Sequence, residues 1–246
     1  MQVFNRVRLR DFWADHERNE VALRAWFQLV TSHNWDSADA LCATFPYAQA
    51  EGDLVAFDLR GSSLFLIATV DFERSAIWVR DVLIHNDFQT GEWKALVPSK
   101  PSTGNDYAAL CQSFALRPLR SDEQLRNAVA KADELLAISG RSEDEQDYLT
   151  VLSLLIEEHE HANVPIPSVS AAEIARALIY EHRLSQSEII PLLGGKQKST
   201  ELLKGTRPLD LRQATRCARY FKLPLETFAD PDDLEISLPK APRRRR

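Results

Sequence analysis

Apolar positions recur at helical spacing in residues 7–16 (VRLRDFWADH) and 19–33 (NEVALRAWFQLVTSH), where Val21, Leu23, Trp26, Phe27 and Val30 mark one face. Three runs rich in β-branched and aromatic residues follow, at 54–60, 63–72 and 76–85, joined by Gly61-Ser62-Ser63 and Glu73-Arg74-Ser75, connections of hairpin length. Residues 2–5 offer one further strand. The pattern predicts an α+β unit, an antiparallel sheet with helices on one face. The aromatic residues Phe12, Trp13, Trp26, Phe27 and Trp35 read as its core.

The segment VPSKPSTGND (97–106) combines two prolines, a glycine and small polar residues, which is linker composition. Beyond it only the helical period remains. Residues 121–138 carry a stripe of Leu125, Val129, Ala132, Leu135 and Leu136, and residues 143–161 one of Leu149, Leu152, Leu155 and Ile156. Gly140 and Pro165-Ile166-Pro167 punctuate these helices. The predicted divisions are therefore 1–95, a linker at 96–113, a helical region at 114–168, a helical domain at 169–230 and a tail at 231–246.

The last helical domain has the most specific local signals. Residues 171–182 form one apolar-periodic helix. Ser185-Gln186-Ser187-Glu188 is a capping box that starts a short second helix, and Gly194-Gly195 provides a tight turn. A third helix from about Gln197 to Leu203 ends at Gly205, with Pro208 preventing its extension, and a fourth spans 210–222. Pro191 inside the second helix removes one hydrogen bond. Short helix, glycine turn and short polar-faced helix predict a helix-turn-helix, the arrangement that sets a recognition helix in a DNA major groove. Gln186, Lys196, Gln197, Lys198, Ser199, Thr200, Lys204 and Arg207 are the candidate DNA-binding residues, donors suited to phosphates and base edges.

Charge strengthens this expectation. The net charge is −6, yet residues 1–95 hold 9 basic against 14 acidic residues, 96–168 hold 6 against 12, and 169–246 hold 15 against 10. A basic end on an acidic chain points to a polyanion site confined to that end. The three cysteines (Cys42, Cys111, Cys217) lack metal-ligand spacing and read as buried thiols in a reducing cytoplasm. No run of about 18 apolar residues suggests a membrane span. His159 and His161 are two apart and diverge on a helix, so no metal or other cofactor is expected.

The stretch from Arg183 to Asp230 (RLSQSEIIPLLGGKQKSTELLKGTRPLDLRQATRCARYFKLPLETFAD) resembles the repressor-like domain of HigA antitoxins. LRPLRSDEQ (116–124) and LIEEHEHANVPIP (155–167) resemble the helical region that precedes it. Ser199 stands where that family usually has an apolar residue, and Thr200 where it usually has serine. In the first half, LRDFWADH (9–16), LRAWFQLV (23–30), NWDSADAL (34–41), ATFPYA (43–48), AFDLRGSSLFLIATVDFE (56–73) and IWVRDVLIHNDF (77–88) resemble HigB toxins, RelE-like mRNA endonucleases that commonly act on the ribosome. The resemblance implies a toxin and an antitoxin fused in one chain. The first half would be a RelE-like α+β domain and the second an all-α region with a lambda-repressor-like helix-turn-helix. Implied partners are operator DNA, bound as a homodimer, mRNA on the ribosome, and an intramolecular toxin–antitoxin contact.

The same resemblance makes Arg60, Arg80 and His85 the candidate catalytic residues. Each also has a reading as an exposed strand residue paired with Asp58, Asp81 or Asp87. Where the toxins carry an arginine on the sheet this chain has Phe65, and where they carry a tyrosine near the end it has Phe88. Scission of RNA requires activation of the 2′-OH, stabilisation of the phosphorane and protonation of the leaving oxygen. A phenyl ring does none of these, so impaired chemistry is expected.

Overall fold

The computed structural model describes residues 1–59, 63–102 and 104–229. The chain forms two compact units, 1–167 and 168–246.

The first unit is built on a five-stranded sheet of β1 (Gln2–Phe4), β2 (Gln49–Glu51), β3 (Leu54–Leu59), β4 (Leu64–Asp71) and β5 (Ala76–Ile84), in the order β1-β5-β4-β3-β2. The β2–β3–β4–β5 pairs are antiparallel, as the short connections require, whereas β1 pairs parallel to β5, Gln2 with Ala76 and Phe4 with Trp78. The sheet is thus mixed and not purely antiparallel: β1 reaches its place through α1 (Val7–Asp15), α2 (Glu20–Ser32), α3 (Ala38–Thr44) and three further strands, and a connection of that length permits a parallel neighbour.

Both faces of the sheet are covered, where the hydrophobic pattern led to helices on one. Phe57 meets Trp26 of α2 edge-on at 5.4 Å and Phe45 at 5.1 Å, which defines the face under α2 and α3. Alternation places Ala56, Phe65, Ile67, Thr69 and Trp78 on the other side. There α5 (Tyr107–Ser113), α6 (Asp122–Leu136) and α7 (Glu143–Asn163) pack a continuous core: Leu125, Val129, Leu136, Tyr148, Leu152 and Ile156 join Phe4, Ala76 and Trp78. The segment after the predicted linker therefore belongs to the same compact unit as the sheet. Two short bridging strands, β6 (Lys100–Pro101) and β7 (Ile138–Ser139), tie the linker to the end of α6. Farther along the same face, α4 (His85–Gln89) and a 3-10 turn at Glu92–Leu96 supply Phe88 and Trp93, which close a second cluster over Leu54, Ala56, Phe65 and Ile67. Of the predicted aromatic core, Trp26 and Trp35 are buried, whereas Phe12, Trp13 and Phe27 are only partly so, because they flank the inward stripes of α1 and α2.

The second unit holds four helices, α8 (Ala171–Glu181), α9 (Gln186–Leu193), α10 (Lys196–Leu203) and α11 (Leu211–Phe221). Their ends follow the local signals. The Glu188 carboxylate accepts from the Ser185 backbone N–H at 2.8 Å and from its hydroxyl at 2.6 Å, fixing the start of α9. Pro191 is accommodated because the carbonyl it leaves without a partner belongs to the exposed Ser187. Gln213, buried in α11, caps its own helix through Asp210 and donates to the Leu193 carbonyl at 2.7 Å, binding α11 to the end of α9. Cys217 is buried and its thiol is pushed up to about 12, so it is an inert apolar side chain. Cys42 and Cys111 are only partly buried, because neither lies in a central inward stripe. Among the described residues no helix is long and apolar enough to cross a membrane.

Candidate functional site

Two regions carry the chemistry expected from the sequence, one in each unit. In the first, the pairing of β4 with β5 slips between Ile67 and Ala68: Ala68 faces Val79 and Ile67 faces Asp81, which leaves Arg80 as the extra residue of a β-bulge. A bulge bends its strand and re-aims the side chain it carries. Arg80 is turned inward, with only 3% of its surface exposed. Its Nη1 donates to the Thr69 hydroxyl at 3.1 Å, and its Nε lies 3.2 Å from Asp133 Oδ1 on α6. Asp133 also receives Arg8 Nη2 at 2.8 Å, and Arg8 donates through Nη1 to the Arg80 carbonyl. One carboxylate thus sits between two guanidinium groups. Burial lowers the Arg80 pKa, and it raises that of Asp133 against the opposing pull of Arg8 and Arg80.

The alternatives read from the sequence for Arg80 are corrected by this geometry. It is neither an exposed strand residue nor paired with Asp58, Asp81 or Asp87; its partner is distant in sequence. His85 is not on a strand either: it opens α4 and is exposed. It borders a cleft of about 220 Å³ lined in part by Gln49, Asp58, Phe65 and Gln89. Arg80 does not line that cleft, so Arg80 and His85 are not brought together there. Arg60 lies outside the described residues. Phe65 and Phe88 are both buried and stack on each other at 3.7 Å between ring centroids, with Trp93 stacked on Phe88 at 5.2 Å. Where the toxin resemblance implies a second cation, this chain therefore carries an aromatic column.

In the second unit, Gly194 and Gly195 hold φ of 78° and 131°, conformations that favour glycine, and this sharp turn aims α10 away from α9. Gln186, Lys196, Gln197, Thr200 and Lys204 are exposed; Lys198 and Arg207 are partly so. Ser199 departs from the expected set. It is 4% exposed, and its hydroxyl donates to the Gly195 carbonyl at 2.8 Å, because its position on α10 faces the packed side against α9. Three of these donors are held by local acids: Gln197 donates to Glu201 at 2.9 Å, Lys198 lies 3.5 Å from Asp210, and Arg207 lies 3.4 Å from Glu201.

Three residues escaped the sequence reading. Asp133 falls four residues after Val129 on the buried stripe of α6, and an acid in such a stripe demands a cation, which was a usable signal. Arg216 of α11 lies over the Gly194 turn, where a Cβ on that glycine would stand 2.8 Å from its Nη1. Arg176 of α8 lies over Gly205 in the same manner, in a cleft of about 290 Å³ shared with Thr206 and Arg207. Two arginines from neighbouring helices thus cover the glycines that bracket α10, an arrangement that no local motif announces.

Comparison with known proteins bears on the first unit. Residues 19–90 match the model of the HigB toxin family, described as the RelE-like toxic component of a toxin-antitoxin system. No curated protein matches the chain. The matched segment runs from the start of α2 through β5 and α4, and so contains both the bulge at Arg80 and the cleft at His85. The mixed sheet with its helices fits a RelE-like α+β domain, and the match supports a HigB-type toxin domain at residues 19–90.

Proposed function

We propose that the chain is a fused toxin–antitoxin protein of the HigBA type. It binds operator DNA as a homodimer through a helix-turn-helix formed by α9 and α10, and represses transcription, its own included, in the cytoplasm. Its toxin-like half is silent. The observation that carries the DNA reading is the exposed donor-rich helix α10, started by a glycine turn and bracketed by cations. Lys196, Lys198, Lys204 and Arg207 supply phosphate contacts, joined by Arg176 and Arg216 at the two ends. Gln197, Thr200 and, at the head of α9, Gln186 are the candidates for direct or positioning contacts, whereas the buried hydroxyl of Ser199 removes it from that set. An eight-residue helix spans about 12 Å, close to the width of the major groove, so cations at its two ends address both groove walls. Binding of the purified chain to DNA from its own promoter region, titrated with salt, tests this reading. A salt-independent or absent signal refutes it.

A second reading keeps the toxin-like half as a ribosome-dependent mRNA endoribonuclease silenced by the fused helical region. The exposed His85 at an open cleft favours it. Against it stand the acidic balance of residues 1–95, the aromatic column at Phe65 and Phe88, and the occupied guanidinium of Arg80. Induced expression of residues 1–95 alone tests it: growth arrest with mRNA cleavage would favour this second reading over the first.

A further inference from the structure

The contacts between the toxin-like sheet and the helices that follow it point beyond silencing. We infer that residues 107–163 are not a removable inhibitor but a structural layer of the toxin-like fold, without which that fold is incomplete, and that Arg80 serves as a structural tie within it. This inference rests on reading residues 1–95 as toxin-like; it is independent of DNA binding.

The observations are of three kinds. The first is the shared core. Phe4 and Trp78, stacked at 5.1 Å and 3% and 5% exposed, share one core with residues of α6 and α7. Removing that cover would bare two large aromatic rings together with Ala76 and Val7, a contiguous apolar patch of the size that soluble monomers rarely tolerate. The second is a set of polar ties, buried at Trp78, part-buried at Val7 and Arg6 and exposed at Gln2. Trp78 Nε1 donates to Ser153 Oγ at 3.1 Å, and the Val7 backbone N–H at the head of α1 donates to Glu160 Oε1 at 3.0 Å. Gln2 and Arg6 reach Glu157 at 3.0 and 3.4 Å. The backbone N–H groups of Ser99 and Lys100 both donate to the Ala137 carbonyl at 3.1 Å, so the linker itself is pinned to the end of α6. Each tie left unmade inside the fold would cost a desolvated polar group. The third is the bulge at Arg80. A guanidinium is aimed into the layer by a β-bulge and met there by Asp133, so the departure of α6 would take away both its carboxylate partner and its cover.

A dissociable inhibitor leaves behind a surface that water tolerates. This face is not of that kind. The consequence is functional: shedding the helical region cannot be the route by which this chain becomes a nuclease, because the sheet would lose its second layer at the same moment.

The test uses the full chain with a specific protease site inserted between Gly104 and Asn105, in the exposed segment before α5. After complete cutting, the two fragments should co-elute in native buffer and separate only in denaturant. The fragment 1–104, refolded by itself, should show no cooperative unfolding transition or should precipitate. Recovery of 1–104 as a separate, cooperatively folded protein would overturn the inference. In the uncut chain, Asp133→Ala should lower the melting temperature by about 5–10 °C, and the pair Arg80→Met with Asp133→Leu should recover most of that loss. An unchanged melting temperature in Asp133→Ala would show that Arg80 is no structural tie.

Discussion

Asp133 on α6 stands between Arg80 and Arg8, at 3.2 and 2.8 Å, so that a single carboxylate from the helical region neutralises the guanidinium that the toxin-like sheet would offer to a phosphate. The pair is well buried on the arginine side, with Arg80 4% and Asp133 27% exposed. Removing one partner of a buried pair costs far more than the pair contributes, about 3–5 kcal/mol, because the survivor stays buried and charged. Partial exposure of Asp133 sets the expectation at the lower end. A double-mutant cycle on Arg80 and Asp133, read by urea unfolding, should give a coupling of at least about 1 kcal/mol. Additivity of the two single losses would mean that the carboxylate acts on Arg8 alone.

For the proposed DNA surface, substitution of Lys198, Lys204 or Arg216 by alanine should weaken binding to every sequence alike. Each should reduce the slope of log affinity against log salt by about 1. Gln197→Ala should instead change the preference among sequences by about 1–3 kcal/mol at one base pair of each half-site. Gln197 is held by Glu201 in the free chain, so Glu201→Ala should strengthen non-specific binding by releasing both Gln197 and Arg207. Footprints on an inverted repeat with half-sites about 34–36 Å apart would fit a dimer. Equal salt slopes for Arg216→Ala and the unmodified chain would remove Arg216 from the contact set.

The four helices of the second unit were legible almost to the residue, because their ends are set by side chains a few positions away: Ser185 with Glu188, Asp210 with Gln213, and glycines at 194, 195 and 205. Strands β3, β4 and β5 were legible for the same reason, since alternation and short turns are local, whereas β2 (Gln49–Glu51), three exposed residues at the sheet edge, carries no such pattern and was missed. What depended on distant chain was not. The parallel place of β1 follows from which sheet edge stays open. The bulge at Arg80 has no mark in the sequence. The partner of Arg80 comes from a helix beyond the linker, so nearby aspartates were the natural but incorrect choices. His85 was read as the end of a strand because α4 is a single short turn, without an apolar period of its own. The burial of Ser199 was foreshadowed by its position, where the antitoxin family carries an apolar residue.

Restoring the family residues at the toxin-like site is expected to fail for a reason visible only in the fold. Phe65 is 6% exposed and stacked on Phe88, which is stacked in turn on Trp93. An arginine at 65 would break the ring column and set a cation beside Asp58, its buried cross-strand neighbour on β3. Phe65→Arg should therefore destabilise the first unit by about 1–3 kcal/mol, through lost ring packing that the Asp58 carboxylate only partly offsets, instead of reviving cleavage. Phe88→Tyr is the milder change and should be tolerated within about 1 kcal/mol if its hydroxyl reaches the cleft beside His85. A soluble Phe65→Arg variant of unchanged stability, with ribosome-dependent cleavage abolished by His85→Ala, would show that the column is an obstacle and not a support.

Glu160 gives the chain a pH dependence of defined sign. It is fully buried in α7, where it accepts from the Val7 backbone N–H, and burial raises its pKa against the opposing effect of backbone N–H groups at residues 5–7 and of Arg6. A carboxyl raised in the folded state favours folding in its neutral form. Its contribution is present in full below the unfolded value of about 4.3 and is lost as pH rises through the folded value. Glu160→Gln keeps a neutral acceptor for the Val7 N–H and cannot ionise. The variant and the unmodified chain should therefore have similar urea midpoints near pH 4, and the variant should be the more stable at pH 7. Val7 and Glu160 join the head of α1 to α7, so the difference should appear in the unfolding of the first unit and leave the second unchanged. A Glu160→Gln variant that is weaker than the unmodified chain at pH 7 and equal to it at pH 4 would show instead that the ionised carboxylate, held by Arg6 and the backbone, is the stabilising form.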